Sequence, residues 1–362
     1  MSFKLWIPIL ALAMIAGLAF IVPCVTAGGG VPSTSGYKVL EPIRHGNLTV
    51  FPVVAATSHD TRGFITLDEG LRSGEVVVAE SGSVQPLIRR RPAHPILRDG
   101  AQVNQLILVN NSKRPLILLA GEIVTGGKQD RVIGKDRIVP GESDPIDLSV
   151  FCVEPGRWTG TSGKFDSLGA AMAQPAVRAR AMSDKDQAKV WAEVNKSKDS
   201  MAYRLPAPAA QAVEVTSSYA RVMQNAEVKK EVDSVAEPIQ RSYQSLIGQL
   251  RDQNAVGAVV AVNGQIVWAD IFASTNLLEK YWPKLVRSYA AEAFVTKAKG
   301  REVDVKSAQE FLNNMDGRHE TVESEPGLYR HTEIAGDGFR AFELTSLLPK
   351  TGFDLHVAKM AE

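Results

Sequence analysis

Residues 116–131 read LILLAGEIVTGGKQDR, an apolar run that passes directly into a charged segment containing two adjacent glycines. Positions 116–124 are apolar except for Gly121 and Glu122. A continuous apolar run, as opposed to an alternating one, is typical of a β-strand that is covered on both faces. The sequence therefore predicts a buried strand with a polar loop at its end, and the other elements are interpreted around it.

Glu122 interrupts this predicted strand. A carboxylate isolated in a low-dielectric interior is strongly unfavourable, so Glu122 must be paired or take up a proton. Lys128 and Arg131 are the nearest cations, and Gly126 and Gly127 allow the chain to fold back because glycine adopts positive φ readily. We expect the segment from Gly126 to Arg131, called the glycine loop below, to bring a positive charge to Glu122.

A second motif, SVFCVEPGRW, occupies residues 149–158. In a strand, side chains alternate between faces, which places Cys152 among apolar neighbours and Glu154 at the strand end. If this strand lies near residues 116–124, the two polar strand ends share one rim of the fold. The candidate ligand-binding residues of this rim are Gly126, Gly127, Lys128, Gln129, Asp130, Arg131, Arg157 and Trp158.

The composition of the rim favours an anionic or sugar-like ligand. Clustered Lys, Gln and Arg side chains present several hydrogen-bond donors to an anionic group, and Arg157 beside Trp158 suits a sugar or anion platform. The alternative is a tight turn whose charges hold neighbouring strands together. A nucleotide P-loop is poorly supported, because Gln129 stands where Ser or Thr should bind Mg²⁺.

Three residues are candidates for catalysis. Glu122 and Glu154 form the carboxylate pair that acid and base catalysis by a hydrolase requires, and Cys152 is a candidate nucleophile. The competing interpretation is structural: Glu122 forms an ion pair with Lys128, Arg131 or Arg157, and Cys152 is an inert core side chain.

The remaining composition restricts the classes of partner. Six histidines are scattered without the close spacing of a zinc site, so no metal or other cofactor is predicted. The net charge of +1 gives no signal for a polyanion, so nucleic acid is not an expected partner. A small-molecule or polymeric ligand is expected instead, with a protein of the cell envelope as an alternative partner.

The amino terminus predicts export. Residues 1–27 combine Lys4, an apolar stretch and small residues before Gly28, as a signal peptide does, and residues 28–36 read as a flexible linker. Cleavage removes Cys24, leaves Cys152 as the single cysteine, and leaves no segment to insert into a membrane. We expect a periplasmic or extracellular location. The alternatives are an uncleaved helical anchor and lipoprotein processing at Cys24, although the residues before Cys24 match a lipobox poorly.

The chain predicts an α+β fold in three regions, which are residues 37–165, 166–252 and 253–362. The first is β-rich and carries the glycine loop, the second is helical, and the third is an antiparallel sheet with helices on one face. In the alternative arrangement, residues 37–362 form one integrated domain.

Several local patterns give specific expectations. Thr66 and Glu69 have the spacing of a capping box for a short helix. Asn263 followed by Gly264 favours a type I′ hairpin turn. Two further hairpins are expected, one pairing residues 103–109 with 115–124 and the other pairing residues 131–133 with 137–139. Helix is expected from about residue 170 onward, and Pro238 is expected to start or kink an amphipathic helix.

The chain resembles a bacterial family, the ARG and Rhodanese-Phosphatase-superfamily-associated protein domain, from about residue 37 onward. The most specific part of the likeness is LLAGEIVTGGKQDR at residues 118–131. It continues with FCVEPGRW (151–158), GAVVAVNGQIVWADIF (257–272) and LLEKYWPKLVRSYA (277–290). The segment 170–208 has no counterpart in the resemblance. The family is defined by sequence and has no established activity, so the resemblance implies no substrate.

Overall fold

The structure, a computed structural model, describes residues 36–81, 104–157, 164–250, 252–296, 302–325 and 327–362. The predicted signal peptide, the predicted linker apart from Gly36, and Trp158 lie outside these residues. From Thr34 to Glu362 the chain forms one compact unit, so the three predicted regions pack together.

The described strands are short in the first half of the chain and longer in the second. In chain order they are β1 (Tyr37–Val39), β2 (Ile43–His45), β3 (Leu48–Ala55), β4 (Ile65–Thr66), β5 (Val76–Glu80), β6 (Gln105–Asn110), β7 (Leu116–Leu118), β8 (Glu122–Gly126), β9 (Arg131–Ile133), β10 (Arg137–Val139), β11 (Ile146–Cys152), β12 (Lys164–Met172), β13 (Asn254–Val262), β14 (Gln265–Phe272), β15 (Gly317–Glu325), β16 (Tyr329–Gly336), β17 (Phe339–Ser346) and β18 (Asp354–Ala361).

The described helices lie mainly between β12 and β15. They are α1 (Leu67–Ser73), α2 (Pro175–Ala179), α3 (Gln187–Ala202), α4 (Ala207–Val215), α5 (Tyr219–Gln224), α6 (Ala226–Gln249), α7 (Thr275–Val295) and α8 (Val305–Asn313). A π-helical turn, Arg180–Asp184, follows α2 directly. Pro238 lies inside α6.

A nine-stranded antiparallel sheet forms the larger part of the fold. Its order is β1-β3-β13-β14-β18-β17-β16-β15, with β2 paired to β3. The β13–β14 turn has φ +50 at Asn263 and +76 at Gly264, so the predicted hairpin and its positive φ angles are confirmed. Because β3 lies against β13, the first region contributes directly to the C-terminal sheet.

Helices cover both faces of this sheet. The side chains of Trp282 and Leu285 in α7 join one core with Val260 and Leu344 of the sheet. On the opposite face the short α8 buries Leu312 in a separate core. The mixed α+β class predicted from the sequence is confirmed. The helices lie on both faces of the sheet and not on one as expected, because α7 packs on one face and α8 on the other.

The glycine loop belongs to a closed six-stranded barrel. Around it the strand order is β11-β6-β5-β12-β8-β9, and β4, β7 and β10 form a separate three-stranded sheet. Apolar side chains from most of these strands fill one core, including Leu108, Val124, Val150 and Phe165. The barrel is therefore filled by its own side chains and is not a channel.

Barrel closure overturns several expectations about pairing. Strand β6 pairs with β5 and β11, and β7 pairs with β10 and β4, so the predicted β6–β7 hairpin is wrong. The predicted β9–β10 hairpin is wrong as well, because β9 pairs with β8 and β11. Residues 116–124 form two strands, β7 and β8, which are separated at Gly121, where φ is +97.

The expected start of the helical region is also displaced. Residues 164–172 form β12, which closes the barrel between β5 and β8, and α2 begins at Pro175. The capping pattern of adjacent residues predicted its local structure correctly. Thr66 Oγ1 accepts a hydrogen bond from the Glu69 backbone and Glu69 Oε2 accepts one from Thr66 N at 2.8 Å, which confirms the capping box.

Candidate functional site

Glu122 is buried and forms an ion pair with Lys284 of α7, not with the glycine loop. Its Oε1 lies 2.5 Å from Lys284 Nζ, and its Oε2 accepts a hydrogen bond from Leu119 N at 2.7 Å. The expectation that Lys128, Arg131 or Arg157 would pair with Glu122 is therefore wrong. The partner comes from a helix packed against the barrel, because α7 contacts β12, the strand beside β8.

The Lys284 ammonium is shared between two carboxylates. It lies 2.7 Å from Asp68 Oδ2 of α1, and Asp68 accepts a second hydrogen bond from the Ser167 hydroxyl. Burial raises the pKa of Glu122 despite the opposing effect of Lys284. For Lys284, burial alone would lower the pKa, but Glu122 and Asp68 outweigh it and hold the pKa above its ordinary value. This cluster joins α1, β8 and α7 and is a structural connection.

The glycine loop contacts the segment after β11 through Glu154 and Arg157, and Glu122 takes no part in these contacts. Glu154 Oε2 accepts hydrogen bonds from Asp130 N at 3.1 Å and from Arg157 Nη2 at 2.6 Å. Arg157 Nη1 also donates to Gly127 O at 3.2 Å. The glycine loop and the segment after β11 therefore meet at one end of the barrel.

The Asp130 side chain holds the glycine loop in its conformation through hydrogen bonds. Its Oδ1 accepts from Gly126 N at 3.1 Å, and its Oδ2 accepts from the Ser218 hydroxyl at 2.7 Å. Gln129 Nε2 donates to the Glu154 carbonyl at 3.0 Å. Most of the loop's polar groups are thus used to hold its own conformation, as the tight-turn interpretation expected.

Arg131 is fully buried beside Cys152 and Glu80. Its Nη1 donates to Asp130 O at 3.4 Å, while Nε and Nη2 have no hydrogen-bond partner among the described residues. Glu80 Oε1 accepts from Lys128 N at 2.8 Å. Arg131 therefore points into the fold, and its guanidinium is not presented to solvent.

Cys152 has the environment of a core side chain. It is fully buried, its Sγ accepts a hydrogen bond from Glu154 N at 3.3 Å, and Gln187 of α3 bonds both its backbone N–H and its carbonyl. Burial raises the pKa of the thiol. Since nucleophilic cysteines need an exposed setting and a lowered pKa, this geometry does not support a reactive thiol.

Glu122 and Glu154 do not face each other across a cleft. The register aligns Arg131 with Val124 on one side and with Cys152 on the other. Val124 and Cys152 therefore lie in one row across the barrel strands. Glu122 lies two residues before Val124 and Glu154 lies two residues after Cys152, so the two glutamates are offset by about four residues, or roughly 13 Å, along the strands. Both carboxylates are buried and ion-paired. This arrangement argues against the two-carboxylate hydrolase.

A cleft of about 530 Å³ opens beside the rim, between the end of β11 and the α4–α5 connection. We call it the rim cleft. Its lining residues are Glu154, Arg157, Ala212, Val213, Val215, Thr216, Ser217, Arg221, Gln224 and Asn225. Its volume lies in the range of small-molecule sites. The α4–α5 side of this cleft was not anticipated from the sequence, because exposed residues of short helices carry no distinguishing pattern.

A second buried charge network was also missed. His356 lies between Asp136 and Asp270, with Nδ1 2.5 Å from Asp136 Oδ2 and Nε2 3.0 Å from Asp270 Oδ1. Arg178 donates two hydrogen bonds of 2.9 Å to Asp270, which also accepts one from Tyr289. Burial alone would lower the pKa of His356, but the two aspartates raise it to about 9.

This network connects the barrel to the large sheet. Asp136 Oδ1 accepts from Ala120 N at 2.7 Å, and Arg178 packs against Gly121, where an added Cβ would lie 2.6 Å from its side chain. Gly121 is therefore required for the close approach of Arg178.

The described residues contain no group of three or more His, Cys, Asp or Glu side chains arranged to hold a metal ion. The family model for the ARG and Rhodanese-Phosphatase-superfamily-associated Protein domain, ARPP-1, matches residues 36–358. The chain belongs to the ARPP-1 family. A search of the curated proteins found no match, and a search of the solved structures found none either.

The ARPP-1 match extends from β1 into β18 and so includes the barrel, the large sheet and the rim cleft. Among the helices that the structure describes, none is both long enough and apolar enough to cross a bilayer.

Proposed function

We propose that this ARPP-1 protein is a binding protein for a small ligand that carries a carboxylate or phosphate group, held in the rim cleft. The single observation that supports the proposal is the position of Arg157 and Arg221 in one cleft of about 530 Å³. The ligand class is narrower than the anionic or sugar-like class expected from the sequence, because a planar guanidinium group binds two oxygens of a carboxylate or phosphate at once.

Arg157 supplies an oriented guanidinium. Glu154 Oε2 and the Gly127 carbonyl hold Nη2 and Nη1 at 2.6 Å and 3.2 Å. Asp130 Oδ1 lies a further 3.7 Å from Nη2. A side chain fixed in this way loses little conformational freedom when it binds a ligand.

Arg221 supplies the uncompensated charge. Its side chain is exposed and makes neither an ion pair nor a hydrogen bond with the described residues. Its backbone N–H donates to Ser218 Oγ at 3.1 Å, and that hydroxyl donates to Asp130 of the glycine loop. The two walls of the rim cleft are therefore connected directly, which fixes the spacing between the two arginine backbones.

The remaining lining is mixed. Thr216, Ser217 and Gln224 add neutral polar groups, and Val213 and Val215 add an apolar surface. Val215 is 79% exposed, so its apolar surface is accessible to a ligand in the cleft.

Binding is tested by calorimetry and thermal shift with inorganic phosphate, citrate and glucose as probes. We expect phosphate or citrate to bind and glucose not to. Arg221→Gln should weaken binding about tenfold or more, because a charged hydrogen bond contributes roughly 1.5–3 kcal/mol. Arg241→Gln is the matched control, since Arg241 is an exposed arginine of α6 paired with Glu237, outside the cleft lining. Absence of binding in the wild type, or equal binding by Arg221→Gln, would overturn the proposal.

We also propose that the protein is exported and that residues 1–27 are removed. The support is the residue pattern of that segment. Cell fractionation with amino-terminal sequencing of the recovered protein tests this. A mature terminus near Gly28 in the exported fraction is expected, whereas a full-length chain in the membrane fraction would favour the uncleaved anchor.

The envelope-scaffold alternative expects a contiguous apolar surface. Within the described residues the exposed large apolar side chains are Tyr203 and Val215. Two isolated side chains do not form such a surface, so this alternative receives no support from the described part of the chain.

A further inference from the structure

The lining of the rim cleft is divided into an apolar part and a polar part. Every lining residue that α4 contributes is apolar, and these residues are Ala212, Val213 and Val215. Every other lining residue is polar or charged, and these belong to the segment after β11 and to residues 216–225. Because the two parts meet in one cleft, the cleft suits a molecule with one polar end and one apolar end.

Helix α4 exposes apolar side chains beyond the cleft itself. Val213 is buried, whereas Pro208, Ala212 and Val215 are exposed. The three exposed residues have the spacing i, i+4 and i+7, which places them on one side of the helix. We call them the α4 stripe. Since Ala212 and Val215 line the cleft, the stripe continues from the cleft toward the start of α4.

The polar part of the lining determines the charge of the ligand. Arg221 is exposed, and its side chain makes no ion pair with the described residues. Arg157 lies in the same lining, held by Glu154 at 2.6 Å. A carboxylate or phosphate group complements an exposed guanidinium in charge and in hydrogen-bonding geometry. The polar end of the ligand is therefore an anion.

The α4 stripe determines the length of the apolar end. From position 208 to position 215 the helix rises by about 10 Å, at about 1.5 Å per residue. Each C–C bond of an extended aliphatic chain is about 1.5 Å long and advances the chain by about 1.25 Å, so roughly eight bonds cover the stripe.

From the divided lining and the exposed stripe, we propose that the ligand of the rim cleft is an amphiphilic anion with an unbranched aliphatic chain of about eight carbons. Its carboxylate or phosphate head binds at Arg221 and Arg157, and its chain lies along the α4 stripe, where it displaces water from apolar surface. Fatty acids of medium length and alkyl phosphates share this chemistry. The inference rests on the proposed function, because the head group occupies the same anion site.

Calorimetry with acetate, butyrate, hexanoate and octanoate tests the contribution of the chain. Full burial of a methylene group would tighten binding about fourfold, and the stripe covers only one side of the chain, so we expect about twofold per methylene. Hexan-1-ol and hexylamine carry the same chain without an anion and should bind at least tenfold more weakly than hexanoate. Octyl phosphate, compared with octanoate, identifies the preferred head group.

A double variant, Ala212→Ser with Val215→Ser, tests the stripe. Both residues are exposed, so the variant should fold as the wild type does. Octanoate should bind at least fivefold more weakly to it, whereas acetate binding should not change. Ala207→Ser is the control, because Ala207 is an exposed residue of α4 that lies about 100° around the helix from Pro208. The control should keep the wild-type dependence on chain length.

The inference is overturned if octanoate binds no more tightly than acetate, if the double variant binds octanoate as the wild type does, or if hexan-1-ol binds as tightly as hexanoate. When this inference alone fails, phosphate or citrate still binds and Arg221→Gln still weakens that binding. When the proposed function fails, none of these anions binds, and both proposals are overturned together.

Discussion

Glu122 and Lys284 are 162 residues apart in the chain, and Glu122 Oε1 lies 2.5 Å from Lys284 Nζ inside the fold. One residue belongs to the barrel and the other to α7, which packs on the large sheet. Because both side chains are buried, removal of either partner leaves an uncompensated charge in the interior, which destabilises a protein far more than the loss of an exposed ion pair does.

Lys284→Met should destabilise the protein by about 3–5 kcal/mol, because it leaves the Glu122 carboxylate buried without its cation. Urea unfolding followed by fluorescence measures this loss. Lys280→Met is the control. Lys280 precedes Lys284 by about one turn of α7 and forms a half-exposed pair with Glu69, so its loss should be below about 1 kcal/mol. Equal destabilisation by the two variants would contradict the structural role assigned to Lys284.

The pKa of His356 should lie well above the ordinary histidine value, and the pKa of His331 should lie well below it. Asp136 and Asp270 raise the pKa of His356 to about 9, whereas burial lowers the pKa of His331 to about 4. NMR titration of the histidine ring protons, assigned with His356→Gln, should show a protonated His356 and a neutral His331 at pH 7.5. A His356 resonance that titrates near its ordinary pKa of about 6.5 would contradict the network.

The same shift predicts the pH dependence of stability. Because the folded-state pKa of His356 exceeds the unfolded value, its contribution is fully present below about pH 6.5 and is lost as the pH rises through about 9. The difference in unfolding free energy between wild type and His356→Gln should therefore shrink between pH 6.5 and 9. A constant difference over that range would show that His356 does not change its charge there.

Gly127→Ala should destabilise the glycine loop. Gly127 has φ +50, and an added Cβ would lie 2.2 Å from the Phe165 ring and 2.6 Å from Glu80 Oε1. Positive φ costs an L-residue about 1–2 kcal/mol, and crowding adds about 1–3 kcal/mol. Gly74→Ala is the control, because Gly74 has φ +71 with no atom within 4 Å, so only the first cost applies. Denaturant unfolding of both variants separates the cost of the positive φ angle from the cost of crowding. Equal losses of unfolding free energy in the two variants would contradict the packing of Phe165 on the loop.

Cys152 should be unreactive in the native protein. It is fully buried, and burial raises its thiol pKa. In a Cys24→Ser variant, reaction with Ellman's reagent should proceed at least about a hundredfold more slowly under native conditions than in urea. Rapid native labelling would restore the nucleophile hypothesis for this residue.

The parts of the fold set by neighbouring residues could be predicted, and the parts set by strand pairing could not. The capping box at Thr66 and the turn at Asn263 and Gly264 depend on adjacent residues, and both were predicted correctly. The partners of β6 and β9 depend on barrel closure, which the strands themselves do not encode. The sequence predicts helix from about residue 170 in a helical region that starts at residue 166, whereas pairing with β5 and β8 makes Lys164–Met172 a strand.

The contacts of the candidate site could likewise be predicted only where they depend on residues close in sequence. The sequence makes contact between the glycine loop and the Glu154–Arg157 segment conditional on the two strands lying near each other, and the structure contains this contact. The partner of Glu122 was predicted wrongly, because proximity in sequence favoured the loop over Lys284. A signal was present, since Lys284 follows Tyr281 and precedes Ser288 at helical spacing on the buried face of α7. A lysine on that face requires a buried anion.

The most direct test of the central claim is an NMR titration that observes the arginine Nε–H resonances of Arg157 and Arg221 while citrate and phosphate are added. Binding in the rim cleft predicts that both resonances shift together and saturate with one dissociation constant. Resonances that do not move, or that move linearly without saturation while other arginines respond equally, would contradict anion binding at this site.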